Sequence, residues 1–361
     1  MPTQSRAHAT ARFFDSWLQK TIVFARWRLR GLLSVWPARA TAAAAPVLGE
    51  GARIAYLFAG TYGDFVQALR PLARLASAYP RAEIILCGAD RYAREFASEL
   101  PPSLRIARGG EPWIWAFGRV DLLLTNCVGV YRVGFDWAAR LCARRAFGFR
   151  HAHEARRGGY AATVPLLPEL RSFAEENLKA LDLAGIPATQ EPSGLAGGTD
   201  AWSNPGARKE AWGRGKILFH IGSAGLKTDF GLRDYSRLVL AILNALEGRP
   251  VEVIMGPGDE DIALEVRSGT GHVPQMYPLV RLTRILRTFE GTVLCFNSFP
   301  AHLCHYLDRP AVVLHREAVP YGYDCAPLHR QVALKRAKDW DLGEVWEALG
   351  IPAAGPRAAA S

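Results

Sequence analysis

The chain has 361 residues, of which 49% are hydrophobic and 22% charged, and its formal net charge is +10 at pH 7. This composition is typical of a soluble globular protein and excludes a low-complexity or repeat architecture, and the length allows two domains of about 150 residues each. Its six cysteines are scattered without a C-x-x-C pair, which favours reduced thiols in a cytoplasmic protein over disulfides or a zinc site.

Half of the excess positive charge lies in residues 1–50, where seven Lys and Arg residues face two acids. Residues 12–36 are rich in Phe and Trp, and an apolar stripe at helical spacing runs from Phe14 to Trp36. Charges interrupt this stripe too often for a membrane span, and no continuous apolar stretch indicates a signal peptide. The segment predicts a basic amphipathic helix that either lies on an anionic membrane surface or packs on its own protein.

The rest of the positive charge is spread thinly along the chain. No basic stripe interleaved with aromatic residues is present, and no zinc-finger, helix-turn-helix or RNA-recognition pattern occurs. The sequence therefore excludes nucleic acid as the expected partner.

From Arg53 onward, apolar strand patterns alternate with amphipathic helix patterns. The runs ARIAYLFAG, AEIILCG, LRIA and VDLLLTN predict buried parallel strands, with helices between them over 65–79 and 91–99. A further helix, RSFAEENLKALDLAG, ends at Gly185 and is followed by a polar stretch rich in Gly, Pro and Ser. The alternation restarts at Lys216 with KILFHIG and continues to the strand pattern AVVLH.

These two alternating units predict an α/β protein with two doubly wound, Rossmann-like domains facing a cleft. We divide the chain into a basic N-terminal extension with its linker (1–50), an N-terminal acceptor domain (51–185), an interdomain linker (186–214), a C-terminal nucleotide-sugar domain (215–325), and C-terminal helices with a disordered tail (326–361). Ligands of such folds bind at the carboxyl ends of the strands. The functional residues are expected there.

Two strand-to-helix turns of the second unit carry groups suited to a nucleotide. Gly222, Ser223 and Lys227 follow the strand KILFHI and offer backbone N–H groups, a hydroxyl and a positive charge to phosphate. Glu260 follows the strand VEVIM and its Gly-Pro-Gly turn, where an acid is well placed to bind a ribose diol. The D-E-D sequence at residues 259–261 also spells the D-x-D of metal-dependent sugar transfer, but its place at a helix start favours a solvated face.

A third turn follows the strand VLCF. Asn297 and Ser298 can cap a helix that carries His302, and the free N–H groups at such a helix start favour an anion. Each feature also has an ordinary interpretation as a glycine turn, a helix cap or a histidine satisfied by its own fold. The order of the three turns along the chain carries more information than any one of them.

That order resembles glycosyltransferase family 9, the heptosyltransferases of lipopolysaccharide core assembly, over residues 53–323. The opening turn of the family, a strand followed by Gly-Asp and a helix with a downstream proline, matches GDFV with Pro71 beyond it. The resemblance implies that Asp64 is the catalytic base, with Gly60 and Gly63 forming the bend. It also implies the two-domain GT-B fold.

The nucleotide side of the family is matched less evenly. Its phosphate turn corresponds to residues 220–227, its nucleoside-binding acid to Glu260, and its Asp-Ser-Gly-x-x-His motif to residues 297–302. In that motif Asn297 stands for Asp and Phe299 for Gly, which removes a charge and adds a ring where backbone approaches the ligand.

The resemblance implies an inverting glycosyltransferase without metal or cofactor, which moves a sugar, heptose first, from an ADP-linked donor to a glycan or glycolipid. Such an enzyme would be cytoplasmic and peripheral on the inner membrane, with membrane contact through residues 12–36. An alternative is a catalytically degenerate scaffold of the same fold that binds nucleotide or glycan. A dinucleotide oxidoreductase is disfavoured, because neither unit has G-x-G-x-x-G after its first strand.

Overall fold

The computed structural model describes residues 48–49, 51–107, 120–126, 142–151, 160, 162–166, 173–188, 215–307, 309–316, 329–334 and 342–351. The helix predicted within residues 12–36, linker residues 189–214 and tail residues 352–361 lie outside these ranges. Of the helices inside them, none combines the length and the apolar character that crossing a bilayer requires.

The first half builds one parallel sheet. Its strands are β1 (Arg53–Leu57), β2 (Glu83–Cys87), β3 (Leu104–Ile106), β4 (Val120–Thr125), β5 (Ala143–His151) and β6 (Ala162–Leu166), and its helices are α1 (Tyr62–Ala78), α2 (Asp90–Glu95) and α3 (Phe173–Leu183). The strand order is β3-β2-β1-β4-β5-β6. Four of the five residues in β1 and in β2 are buried, as expected for inner strands covered on both faces.

The second half builds another parallel sheet. Its strands are β7 (Lys216–His220), β8 (Val251–Met255), β9 (Gln275–Met276), β10 (Gly291–Phe296), β11 (Ala311–His315) and β12 (Arg330–Ala333). Its helices are α4 (Ala224–Phe230), α5 (Leu232–Ala245), α6 (Glu260–Thr270), α7 (Leu279–Thr288), α8 (Phe299–Tyr306) and α9 (Gly343–Ala348).

The strand order of this sheet is β12-β11-β10-β7-β8-β9. Numbered from its own first strand, each sheet has the order 3-2-1-4-5-6 of a doubly wound fold. The predicted fold class of two Rossmann-like sheets is therefore confirmed.

One local prediction was wrong. Residues 330–333, expected in a C-terminal helix, form β12 and pair in parallel with β11, from Val312 opposite Arg330 to His315 opposite Ala333. The sequence of residues 330–338, RQVALKRAK, is rich in Ala, Leu, Lys and Arg, which favours a helix, but pairing at the sheet edge overrides this propensity at residues 330–333. The helix α9 does form, and Val345 and Ala348 pack into the core of the second half.

The predicted free thiols are present in the described residues. Cys87, Cys142, Cys295 and Cys304 are all buried and form no disulfide within the described residues, and burial raises the pKa of the Cys87 thiol. Buried neutral thiols behave as small apolar side chains. Cys127 and Cys325 lie outside the described ranges.

The two halves meet where α1 packs against α8, and we call this surface the interlobe contact. Gln67 Nε2 donates to His302 Nδ1 at 3.2 Å, and Arg70 donates to the carbonyl of His305 at 3.2 Å. One buried apolar cluster contains side chains of both halves, among them Leu69 of α1 and Leu303 of α8. Helix α1, which begins directly after β1, thus touches the helix that follows β10.

Gly63 is required by this contact. A Cβ on Gly63 would lie 2.7 Å from His302 Cδ2, and His302 is held by Gln67 and by burial. We expect Gly63→Ala to lower the free energy of unfolding by about 1–3 kcal/mol through overpacking, measured by urea denaturation. Gly225→Ala is the matched control, since no atom outside its chain neighbours and its own helix backbone lies within 4 Å of its Cβ position. Equal stability of the two variants would contradict close packing of α1 on α8.

Candidate active site

Asp64 lies in the first turn of α1, just beyond the carboxyl end of β1. Its Oδ2 accepts hydrogen bonds from Thr61 N at 2.6 Å and from Thr61 Oγ1 at 2.9 Å. Thr61 is the N-cap and Asp64 the third helical residue, so the carboxylate closes a capping box and is not itself the cap. Among the hydrogen bonds of the described residues, none uses Oδ1.

The loop before α1 is shaped by close approach of this carboxylate. Gly60 has φ 142°, and a Cβ there would lie 2.5 Å from Asp64 Oδ2. Only glycine fits both the dihedral angle and the space. The Gly60 carbonyl also accepts a hydrogen bond from Tyr92 Oη at 2.8 Å, which ties the loop to α2. The residues Gly60 and Gly63, predicted to form the bend, thus set the position of Asp64 from both sides.

The ring of Phe299 packs against aromatic side chains of the first half. Its ring lies 6.0 Å from that of Tyr62 and 6.3 Å from that of Phe96, between centroids and edge to face. The replacement of glycine by Phe299 therefore adds an aromatic contact between the halves. This contact lies beside the start of α1, one residue from Gly63.

In the turn after β7, the first of those predicted to bind nucleotide, the polar groups form hydrogen bonds within the protein. Gly222 N donates to His220 Nδ1 at 3.2 Å. Ser223 Oγ accepts from Leu226 N and caps α4, and it donates to the carbonyl of Asn297, both at 3.4 Å. The hydroxyl thus ties the turn after β7 to the turn after β10.

Lys227 is held by an acid that we assigned to a solvated face. Its Nζ lies 2.6 Å from Asp259 Oδ1 and 2.7 Å from the Gly258 carbonyl, and the side chains of Lys227 and Asp259 are 19% and 7% exposed. The other oxygen, Asp259 Oδ2, accepts from Gly256 N at 2.9 Å. The assignment of Asp259 to a solvated face was wrong. Its position directly after a glycine turn at the end of a buried strand was the available signal.

Glu260 remains exposed beside this pair. Its Oε1 accepts a hydrogen bond from Gly258 N at 3.3 Å. Hydrogen bonds from the backbone N–H groups of Glu260 and Gly258 lower the pKa of the carboxyl, and the charge of Lys227 adds to this effect. An ionised carboxylate in contact with solvent is available to a ribose diol. The structure thus places Glu260 at the carboxyl edge of the second sheet.

The residues predicted at the turn after β10 differ in their burial. Asn297 and Ser298 are half-buried after β10, and Ser298 Oγ donates to the Phe296 carbonyl at 3.1 Å without capping α8. His302 is buried in the interlobe contact, and this burial lowers its pKa to about 3. It is neutral at pH 7, so the structure does not place it on an open rim as a cation for phosphate.

Two contacts join the predicted residues into one region. The carbonyl of Asn297 meets Ser223, and His302 of the same turn and helix lies against Gly63, next to Asp64. The turns after β1, β7 and β10 therefore adjoin one another at the carboxyl ends of the two sheets, as expected for ligand sites in doubly wound folds. Within the described ranges, no group of three or more His, Cys, Asp and Glu side chains is arranged to hold a metal ion.

No protein-family model and no curated protein matches the sequence. The structure matches a glycosyl transferase of family 9 from Veillonella parvula DSM 2008, at 16% identity and a TM-score of 0.52, over 84% of this chain and 90% of that one. The chain has the fold of family 9 glycosyltransferases. The ADP-heptose lps heptosyltransferase II of E. coli matches at 15% identity and a TM-score of 0.52, over 82% and 98%.

The E. coli heptosyltransferase WaaC, solved with ADP, matches at 14% identity and a TM-score of 0.53, over 78% of this chain and 93% of that one. These likenesses span both sheets and carry the two-domain fold. At such identity they assign no roles to individual residues.

Proposed function

We propose that this chain is a glycosyltransferase that moves a sugar from a nucleoside-diphosphate donor to a hydroxyl group of a glycan or glycolipid. The observation that carries the proposal is the position of Asp64. Its carboxylate stands at the carboxyl end of the first sheet, next to the residues of α8 that adjoin the nucleotide turns of the second. The fold shared with family 9 glycosyltransferases and the position of Asp64 both support sugar transfer.

In the reaction, Asp64 Oδ1 takes the proton of the acceptor hydroxyl while the acceptor oxygen forms its bond to the anomeric carbon. The bond from that carbon to the diphosphate breaks, and the nucleoside diphosphate leaves with the electron pair. Lys227 and the backbone N–H groups of the turns after β7 and β10 stabilise the charge that develops on the leaving group. Direct displacement inverts the anomeric centre, and no metal ion enters the scheme.

The finer identity follows from the resemblance. We propose heptose as the sugar and an ADP-linked donor, with Glu260 on the ribose and Gly222, Ser223, Asn297 and Ser298 around the phosphates. The basic, aromatic residues 12–36 would hold the enzyme against the inner membrane, where a lipid-linked acceptor is carried.

A thermal-shift panel of ADP-, GDP-, UDP- and CDP-linked sugars tests donor binding. A donor that binds only the folded state raises the melting temperature, because its binding stabilises that state by RT ln(1 + L/Kd), where L is the free donor concentration. We expect one nucleotide class to stand apart from the others, and its sugar to be transferred or hydrolysed on incubation with the protein. A flat response across the whole panel would contradict the proposal.

Lys227→Ala is expected to weaken binding of the nucleoside diphosphate by about tenfold or more, because a charge-assisted contact to phosphate is lost. Isothermal titration calorimetry measures this directly. The nucleoside without phosphates serves as the ligand control, since its affinity should not change. An unaltered diphosphate affinity would remove Lys227 from the phosphate site.

A second candidate is a nucleotide-binding or glycan-binding scaffold without catalysis. Two observations favour it: the ammonium of Lys227 is held by Asp259, and the ring of Phe299 replaces a glycine of the family motif. Donor binding without transfer or hydrolysis, under conditions in which the protein is folded, would select this candidate.

A further inference from the structure

We propose that Asp259 is an internal counter-ion of the phosphate site, which holds Lys227 until the diphosphate of the donor displaces it. This inference rests on the proposed function and adds to it a residue that opposes donor binding. It concerns the turns after β7 and β8, which the carboxylate of Asp259 joins.

The carboxylate makes the contacts that a bound phosphate oxygen would make. One oxygen binds Lys227 Nζ at 2.6 Å, and the other accepts the N–H of Gly256 at 2.9 Å. It also lies directly against the glycine of the preceding turn, because a Cβ at Gly222 would overlap Asp259 Oδ2. An ammonium, a backbone N–H and a bare glycine are the groups with which proteins surround phosphate.

The charges around Lys227 and Asp259 explain why this ion pair must separate before a diphosphate can bind. Lys227 carries +1 and Asp259 carries −1, while burial lowers the pKa of His220 to about 4, so this neighbour is neutral at pH 7. The exposed carboxylate of Glu260 adds a further negative charge. A diphosphate therefore meets no net positive charge here as long as Asp259 neutralises Lys227.

A diphosphate can replace Asp259 as the partner of Lys227, because the Lys227 side chain is only partly buried. The side chain of Lys227 keeps 19% of its exposure, and two of its contacts, to Asp259 and Gly258, lie on the same turn. Movement of the ammonium toward solvent leaves the Asp259 carboxylate with the N–H of Gly256 as a partner. Donor binding then replaces one anion on Lys227 by another, and the cost of separating the pair lowers the apparent affinity.

The two roles open to Asp259 give opposite results for Asp259→Asn. A competing counter-ion predicts that the variant binds ADP and inorganic pyrophosphate about tenfold more tightly than the unchanged protein, because one negative charge beside the ammonium is gone. A residue that only orients Lys227 predicts weaker binding. Asparagine keeps the size of the side chain, the acceptor for Gly256 N and a good residue type for the position before α6.

Calorimetric titrations of the unchanged protein and of Asp259→Asn with ADP, pyrophosphate and adenosine make the comparison. Asp261→Asn is the matched control, since it removes the same charge from an exposed position of the same helix turn. Tighter binding of both phosphate ligands by Asp259→Asn alone, with adenosine unaffected, is the expected result. Asp259→Ser repeats the test should the asparagine variant fail to fold.

Weaker or equal binding of ADP by folded Asp259 variants overturns the counter-ion role and leaves the proposed function standing. A gain of the same size in Asp261→Asn also overturns it, because the effect would then come from net charge alone. Failure of every protein, unchanged and variant, to bind ADP, pyrophosphate or any donor of the panel overturns both the counter-ion and the glycosyltransferase.

Discussion

Asp64→Asn is expected to lower the rate of sugar transfer by about 10²–10⁴-fold, the usual contribution of a general base, while the protein stays folded and binds its donor normally. An amide has no basic oxygen that can take a proton at neutral pH, so the acceptor hydroxyl loses its base. Initial rates of transfer at saturating donor measure the loss.

The structure indicates that Asp64→Asn removes the base without disturbing the start of α1. The hydrogen bonds that Asp64 makes at the start of α1 come from Thr61, and the amide oxygen of asparagine can accept the same bonds. The steric demands on Gly60 and Gly63 do not change, because the two side chains have the same size. A role confined to the capping box therefore predicts nearly unchanged turnover, and the two explanations separate by orders of magnitude.

Glu95→Gln is the matched control for a nearby charge. Glu95 accepts a hydrogen bond from Tyr62 Oη at 2.5 Å, so it lies near the start of α1 without reaching the proposed reaction centre. We expect this variant to keep most of the transfer rate. Normal turnover by Asp64→Asn, or an equal loss in Glu95→Gln, would remove Asp64 as the base.

The sequence predicted most of the strands and helices, because these elements are marked by local patterns of apolar residues. Mainly apolar runs identified β1, β2, β4, β7, β8, β10 and β11, all of which are inner strands of their sheets, and also the edge strand β3. Edge elements carry a weaker pattern. Strand β9 has only two residues, both exposed. The sequence around β12 predicts a helix, and only the pairing with β11 shows that it is a strand.

The candidate site was predicted in part. Asp64, Gly60 and Gly63 follow from a turn whose glycines and acid are contiguous in sequence. The roles of Asp259 and His302 depend on what packs against them from elsewhere: Lys227 lies 32 positions from Asp259, and Gln67 lies 235 from His302. Such partners are set by the arrangement of two sheets, which a single strand-to-helix turn does not encode.

Buried histidines make the stability of this fold sensitive to acid pH. Burial lowers the pKa of His302 and His329 to about 3 and that of His220 and His305 to about 4, from an ordinary value of 6.5. In three of them Nδ1 has a donor as its partner: Gln67 Nε2 at His302, Ala311 N at His329 and Gly222 N at His220. A proton on that nitrogen would place two donors face to face.

The free energy of unfolding is therefore expected to fall steeply below about pH 6.5. The folded pKa values lie below the unfolded ones, so the unfolded chain binds more protons as the pH drops toward 4, and each histidine costs about 1 kcal/mol per pH unit in that window. Four of them together predict a loss of about 4 kcal/mol between pH 6 and pH 5. Above about pH 7.5 they contribute little slope, since the histidines are then mostly neutral in both states.

Urea unfolding followed by circular dichroism between pH 8 and pH 5 measures this slope. His302→Gln removes one titrating group from the interlobe contact while keeping a polar side chain opposite Gln67, and we expect a slope shallower by about 1 kcal/mol per pH unit. A stability profile that stays level down to pH 5 would contradict the burial of these neutral histidines. A slope that His302→Gln leaves unchanged would show that His302 is not one of the acid-sensitive groups, and would contradict its burial as a neutral imidazole between α1 and α8.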